Sequence, residues 1–183
     1  MRDENGLTLT ELLVGLIVIA MLAVVAMPRL GALVQGNRVD AVVEDAASDM
    51  AFAISEATRR GLPVTVCPAA GEGDACDAAG VWRDDWMTFV DVNGDGTRDA
   101  DDKVLRRRGG WGTGVTIGAR SAHATSRLQR LTADADGLFT SLPADARLVF
   151  DVPAAITDIT RCLRFSNVAA ESVSIGSGRG ACA

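Results

Sequence analysis

The sequence predicts an α+β fold: a long N-terminal helix, apolar all round and then amphipathic, packed on one or two antiparallel β-sheets. Three patterns carry that expectation. Between Leu7 and Pro28 the one charged residue is Glu11, and nearly everything else is apolar. From Val39 to Ala57, valines, alanines, Met50 and Ile54 recur at three- and four-residue steps. After Gly61 the chain becomes a series of short β-rich runs, each bounded by Gly, Pro, Asp or Asn.

Built as a helix, residues 7–28 would reach roughly 33 Å at about 1.5 Å per residue, enough for a bilayer's hydrocarbon core. A carboxylate at the edge of such a segment is costly in lipid, so Glu11 is expected to have a partner. The plainer alternative is an ordinary anchor with a chance acid. A secretory signal is cut beyond its apolar region. Here the polar leader lies in front of the run, and a cut there would leave the run on the protein.

Past Pro28 the apolar stripe is Val39, Val42, Val43, Ala46, Ala47, Met50, Ala51, Ile54 and Ala57. Arg38, Asp40, Glu44, Asp45, Asp49 and Glu56 are assigned to the opposite, solvated face. Arg59 and Arg60 followed by Gly61 and Pro63 form a stop signal, with cations in the last turn and a glycine beyond it. The stripe needs a sheet to cover it. Strands are expected at 63–66, 86–90, 104–107, 115–117, 127–131, 147–152, 160–165 and 172–175, several of them alternating apolar and polar.

The N-terminal residues resemble the class III signal of type IV pilins and type II secretion pseudopilins. A leader ends in Gly6, an acid follows at Glu11, and Pro28 comes about one membrane thickness later. The resemblance implies cleavage by a prepilin peptidase between Gly6 and Leu7, and methylation of the new N-terminus at Leu7. It implies that Glu11 sets subunit registration by pairing with a neighbour's N-terminal amine. Two groups costly to bury singly become tolerable as a pair. Pro28 would kink the helix.

The run from Trp82 through Trp86, Asp91, Asn93 and Gly94 to Gly96 is similar to the tryptophan-rich strand and Asp-Asn-Gly hairpin of the GspH/FimT family. That family includes the H pseudopilin of type II secretion and the FimT/FimU minor pilins. The closing residues Ser174 to Arg179 resemble its terminal strand and Gly-Arg. The implied fold is type IV pilin-like. Its parts are a leader at 1–6, a transmembrane half-helix at 7–28, an amphipathic half-helix at 29–60 and a periplasmic β-rich domain at 61–183.

The implied role is that of a minor pilin, a non-enzymatic structural subunit of a type IV pilus, in its assembly or tip complex. It would sit in the cell inner membrane as a single-pass chain before entering the pilus or pseudopilus. Its partners would be prepilin peptidase, a major pilin or pseudopilin and other minor pilins. One alternative is a type II secretion pseudopilin of the H type. Another is a DNA-binding adaptor for uptake at the pilus tip.

The chain's 183 residues leave room for one anchor and one domain of about 120 residues. A net charge of -6 argues against a general nucleic-acid binder. With aromatics at 4% and no tyrosine there is little to build a carbohydrate-stacking platform. Cys67, Cys76, Cys162 and Cys182 all follow the anchor, as in a disulfide framework of an oxidising compartment. Of the three possible pairings, Cys67 with Cys76 and Cys162 with Cys182 is favoured because each bridge is local. A zinc site would want a CxxC spacing or clustered His, and neither is present. The lone His123 sits in a Ser/Ala/Thr-rich loop, away from any nucleophile pattern, and no enzyme is expected.

Two constellations remain. Residues 91–102 match a calcium-loop pattern except for aspartate at the last position. Ligands would come from Asp91, Asn93, Asp95, the Thr97 carbonyl, Asp99 through water, and Asp102. The other reading is a solvated Asn-Gly/Asp-Gly turn. From Lys103 to Ala133 there is no acid, while six arginines fall there. Arg106, Arg107 and Arg108 beside Trp111, with Arg179, could hold DNA phosphates next to a stacking ring. Alternatively these arginines pair with Asp84, Asp85 and the acidic loop.

Overall fold

A computed structural model describes residues 8–71, 74–83, 85–109, 114–121, 128–140, 142–143, 145–152, 159–166 and 173–182, without the side chains of 25–29 and 181. Helix α1 runs from Leu9 to Arg60. It starts with a capping box: Thr8 accepts from the Glu11 amide, and the Glu11 carboxylate accepts from the Thr8 N–H at 3.1 Å. It ends where the stop signal placed it. Gly61 takes the left-handed conformation (φ 65°) and donates to the Ala57 carbonyl at 2.9 Å. In the last turn Glu56 accepts from Arg59 and Arg60, each pair closing to 2.6 Å, and these bonds hold its carboxyl down at about 2.

The two halves of α1 differ. Large apolar side chains from Leu9 to Val24 are exposed, as are Leu30, Leu33 and Val34. Among the described residues no helix is long and apolar enough to cross a membrane. From Val39 onward one stripe is buried, comprising Val39, Val42, Val43, Ala46, Met50, Ala53 and Ala57. Fully burying a valine or methionine contributes about 1.5–3 kcal/mol, so this stripe holds helix to sheets. Ala51 is exposed and Ala53 takes its expected place. Asp49, expected on the solvated face, is completely buried.

Among the described residues nine strands follow: β1 (Val64–Pro68), β2 (Trp86–Val90), β3 (Val104–Arg108), β4 (Thr116–Arg120), β5 (Leu131–Ala133), β6 (Phe139–Thr140), β7 (Arg147–Asp151), β8 (Arg161–Phe165) and β9 (Val173–Ser177). They form two antiparallel sheets, β3-β2-β1-β5-β6 and β4-β7-β8-β9, both packed on the second half of α1. Phe139 of the first sheet meets Phe165 of the second edge to face, with ring centroids 5.7 Å apart.

Both disulfides form as favoured. Cys67–Cys76 and Cys162–Cys182 each have Cα atoms 5.7 Å apart. Each also covers the outer side of one sheet. Cys67, Ala69, Met87 and Phe89 form an apolar cluster separate from the main core, with Cys76 packed on it. Cys182, carried on the four-residue helix α2 (Arg179–Cys182), packs on Val149 and Cys162. Losing such a bridge from a small domain typically costs about 2–5 kcal/mol.

Three elements differ from expectation. The strand expected at 127–131 lies at Leu131–Ala133, since residues 128–130 are loop and 127 is outside the described residues. β6 is two residues long, too short to carry a period, and α2 falls where only a terminal Gly-Arg was expected.

Candidate functional site

The filament-type residues occupy the N-terminal end. Gly6 and Leu7 lie outside the described residues, and Pro28 falls within α1 at a position whose side chain is not described. Glu11 is exposed in the first turn, and Thr8 satisfies it through both its N–H and its hydroxyl, the latter at 2.8 Å.

The arginine-rich strand β3 is placed against α1. Arg106 donates to Asp49 at 2.6 Å, and Arg108 grips both Asp49 oxygens, at 2.9 and 3.3 Å. Trp86, on the neighbouring strand β2, donates its indole N–H to the same carboxylate at 2.9 Å. Asp45, one helical turn earlier, adds a 3.2 Å pair to Arg108. The Arg106 guanidinium also lies 4.0 Å over the Phe52 ring. A buried carboxylate is tolerable only when its lone pairs are met by donors, and here Trp86, Arg106 and Arg108 supply them. The Asp49 hydrogen bond in turn holds the Arg108 guanidinium above the ordinary arginine range. A second ion pair, Arg161 to Asp40 at 2.7 Å, ties β8 to the same helix.

The arginines of β3 are engaged within the chain. Arg106 and Arg108 are turned to the helix. Arg107, next in the strand and therefore on its other face, meets Asp74 at 3.6 Å and donates to the Gly71 carbonyl. Among the described residues Arg106, Arg107 and Arg108 pair with Asp49, Asp45 and Asp74, and Arg130 engages the acidic loop through the Gly96 carbonyl. Asp84, Trp111 and His123 are outside the described residues, and Arg179 is exposed on α2.

The acidic loop between β2 and β3 is closed on itself. Asp91 is buried and accepts from Thr65 and from the Gly94 and Gly96 amides at 2.7–2.8 Å. Asp102 accepts from the Val92 and Asp99 amides at 2.9 and 2.8 Å. Asn93 donates to both Asp95 and Asp99. Gly96 (φ 75°) turns the chain, and a side chain there would press within 2.5 Å of Arg130, which donates to the Gly96 carbonyl at 2.7 Å. Among the described residues no group of three or more His, Cys, Asp or Glu side chains is placed to hold a metal ion. Asp91 and Asp102, two of the six expected calcium positions, thus spend part of their lone pairs on amide donors within the loop. Calorimetry of the chain against millimolar calcium is expected to show no calcium-dependent heat. A saturable heat would mean that the loop reopens to bind.

Sequence reasoning missed Asp49. The signal was there: Ala46, Asp49 and Ala53 are spaced three and four residues apart, in register with the buried stripe.

Residues 42–169 match the family described as Type II transport protein GspH, and residues 1–27 match the prokaryotic N-terminal methylation motif. No curated protein matches. Two crystal structures of the type IV minor pilin FimU from Pseudomonas aeruginosa share the fold. At 16% identity the first has a TM-score of 0.55 and covers 79% of this chain and 99% of its own. The second is 18% identical, with a TM-score of 0.54, covering 77% of this chain and 88% of its own. With its family match spanning most of the two sheets and its methylation motif covering the start of α1, the chain belongs to the Type II transport protein GspH family.

Proposed function

We propose that this chain is a minor pilin, a structural subunit that primes or decorates the assembly or tip complex of a type IV pilus. The observation that carries the reading is the asymmetry of α1. Its second half is buried under two sheets, while its first half carries large apolar side chains that the fold leaves bare. Such a surface needs lipid before assembly and other helices afterwards.

In this reading prepilin peptidase cuts between Gly6 and Leu7 and methylates Leu7. Residues 7–28 hold the chain in the inner membrane as a single pass, with 61–183 in the periplasm. Glu11 sets registration against a major pilin or another minor pilin, and Pro28 bends the helix. A type II secretion pseudopilin of the H type is the second reading, favoured by the family's description. DNA uptake draws no support from Arg106 and Arg108, which face Asp49.

Deleting the gene and measuring surface pilin in sheared fractions tests the proposal. Loss of filaments, restored by the intact gene, is the expected result. Normal filaments with lost secretion would transfer the chain to the secretion machine.

A further inference from the structure

Of the chain's two Asn-Gly pairs, Asn5–Gly6 falls in the expected leader and Asn93–Gly94 in the loop between β2 and β3. An asparagine before glycine is open to attack on its own side chain, because glycine has no Cβ to keep the next backbone nitrogen away. The Gly94 nitrogen would lose its proton and bond to Asn93 Cγ. The Cγ–Nδ2 bond breaks, and Nδ2 takes up a proton and leaves as ammonia. Water then opens the resulting succinimide at one of its two carbonyls, giving aspartate or isoaspartate at position 93. Water is the one co-reactant, and Asn93 is exposed to it.

The fold restrains the nucleophile. The Gly94 N–H donates to Asp91 Oδ1 at 2.8 Å, and the Gly96 N–H donates to Asp91 Oδ2 at 2.7 Å. Gly96 follows Asp95, so a second junction of the same chemistry is held by the other oxygen of the same carboxylate. Asp91 is itself buried and accepts from the Thr65 hydroxyl at 2.8 Å. An amide nitrogen bonded to a carboxylate resists losing its proton, since two negative charges would then stand side by side. At the remaining Asp-Gly pair, Gly137 donates instead to a neutral carbonyl, that of Asp134. The carbon under attack is pinned as well. Asn93 accepts from the Asp95 N–H at 3.2 Å, and its Nδ2 donates to Asp95 and Asp99 at 3.0 and 3.1 Å.

We propose that Asn93 is a latent deamidation site governed by Asp91, closed while the loop is latched and open when it lets go. The product does not suit the closed loop. A carboxylate at position 93 replaces the N–H groups that face Asp95 and Asp99, so three acids meet where an amide now bridges two. Modification therefore unlatches the loop that leads into β3, whose Arg106 and Arg108 tie the sheet to α1.

The test incubates the full chain in mild detergent with a chelator and follows Asn93 by peptide-mapping mass spectrometry. Deamidation in the folded chain should run at least about tenfold slower than in the same chain unfolded in urea, the factor one hydrogen bond to a charged group holds back. Asp91→Asn leaves one acceptor oxygen for two glycine amides and should raise the folded rate about tenfold. Thr65→Val loosens Asp91 without neutralising it, should raise the rate less, and serves if Asp91→Asn does not fold. Circular dichroism reports the fold of each. Hydrogen exchange at the Gly94 amide should quicken in step, because both reactions need the same opening. Equal rates in the folded and unfolded wild-type chain overturn the proposal. So does a folded variant of either kind whose Asn93 is modified no faster than in the wild type.

Discussion

Replacing Asp49 with alanine should destabilise the folded domain by about 3 kcal/mol, near the low end for removing one partner of a buried ion pair. The low end applies because Arg106 and Arg108 keep 34% and 29% of their side chains exposed and can turn to water. Trp86 cannot: its indole is buried, and its N–H would lose the Asp49 acceptor. In a domain of this size such a loss lowers Tm by about 10 °C. Asp49→Asn retains an acceptor oxygen for Trp86 and should lose less. Arg108→Ala added to Asp49→Ala should destabilise by less than the two separate effects summed, because the residues share one network. Thermal unfolding followed by circular dichroism measures all of these. A change below about 2 °C for Asp49→Ala would mean that helix and β3 are held by the apolar stripe alone.

The same residue shows where the sequence was legible and where it was not. Helix α1 could be read to its last residue, because a stop signal of two arginines and a glycine is local chemistry. The disulfide pairing was legible because short loops leave few choices. β2 was found at its observed bounds, since Trp86 to Val90 is a run of large or β-branched side chains between turn formers. What failed was non-local. Asp49 was assigned by its charge to the solvated face, although its spacing put it in the buried stripe. Only the sheet, arriving with Trp86, Arg106 and Arg108, makes that burial possible. The acidic loop has non-local partners of the same kind. Its spacing fits a cation, yet Thr65 from β1 and the loop's own amides engage the carboxylates that the cation would need. Neither β6 nor α2 could be read, because a two-residue strand and a four-residue helix carry no periodicity.

Glu11 allows a sharper experiment than simple removal, because in the isolated subunit it already performs one task. Its carboxylate closes the capping box with Thr8, a device whose loss costs about 1 kcal/mol. Leaving a neighbour's N-terminal amine unpaired in a filament core would cost several kcal/mol. The two roles therefore predict effects of different size. Glu11→Ala removes both, and subunit incorporation should fall by about a hundredfold or more while leader cleavage continues. Glu11→Gln keeps an oxygen for the Thr8 N–H but carries no charge. If pairing with the amine governs incorporation, the glutamine variant should fail nearly as badly as alanine. If capping alone matters, it should enter filaments almost normally, since a penalty near 1 kcal/mol is less than a tenfold effect. Immunoblots of sheared filaments against the membrane pool separate these outcomes. Near-normal incorporation of the glutamine variant would reduce Glu11 to a helix cap and remove its registration role.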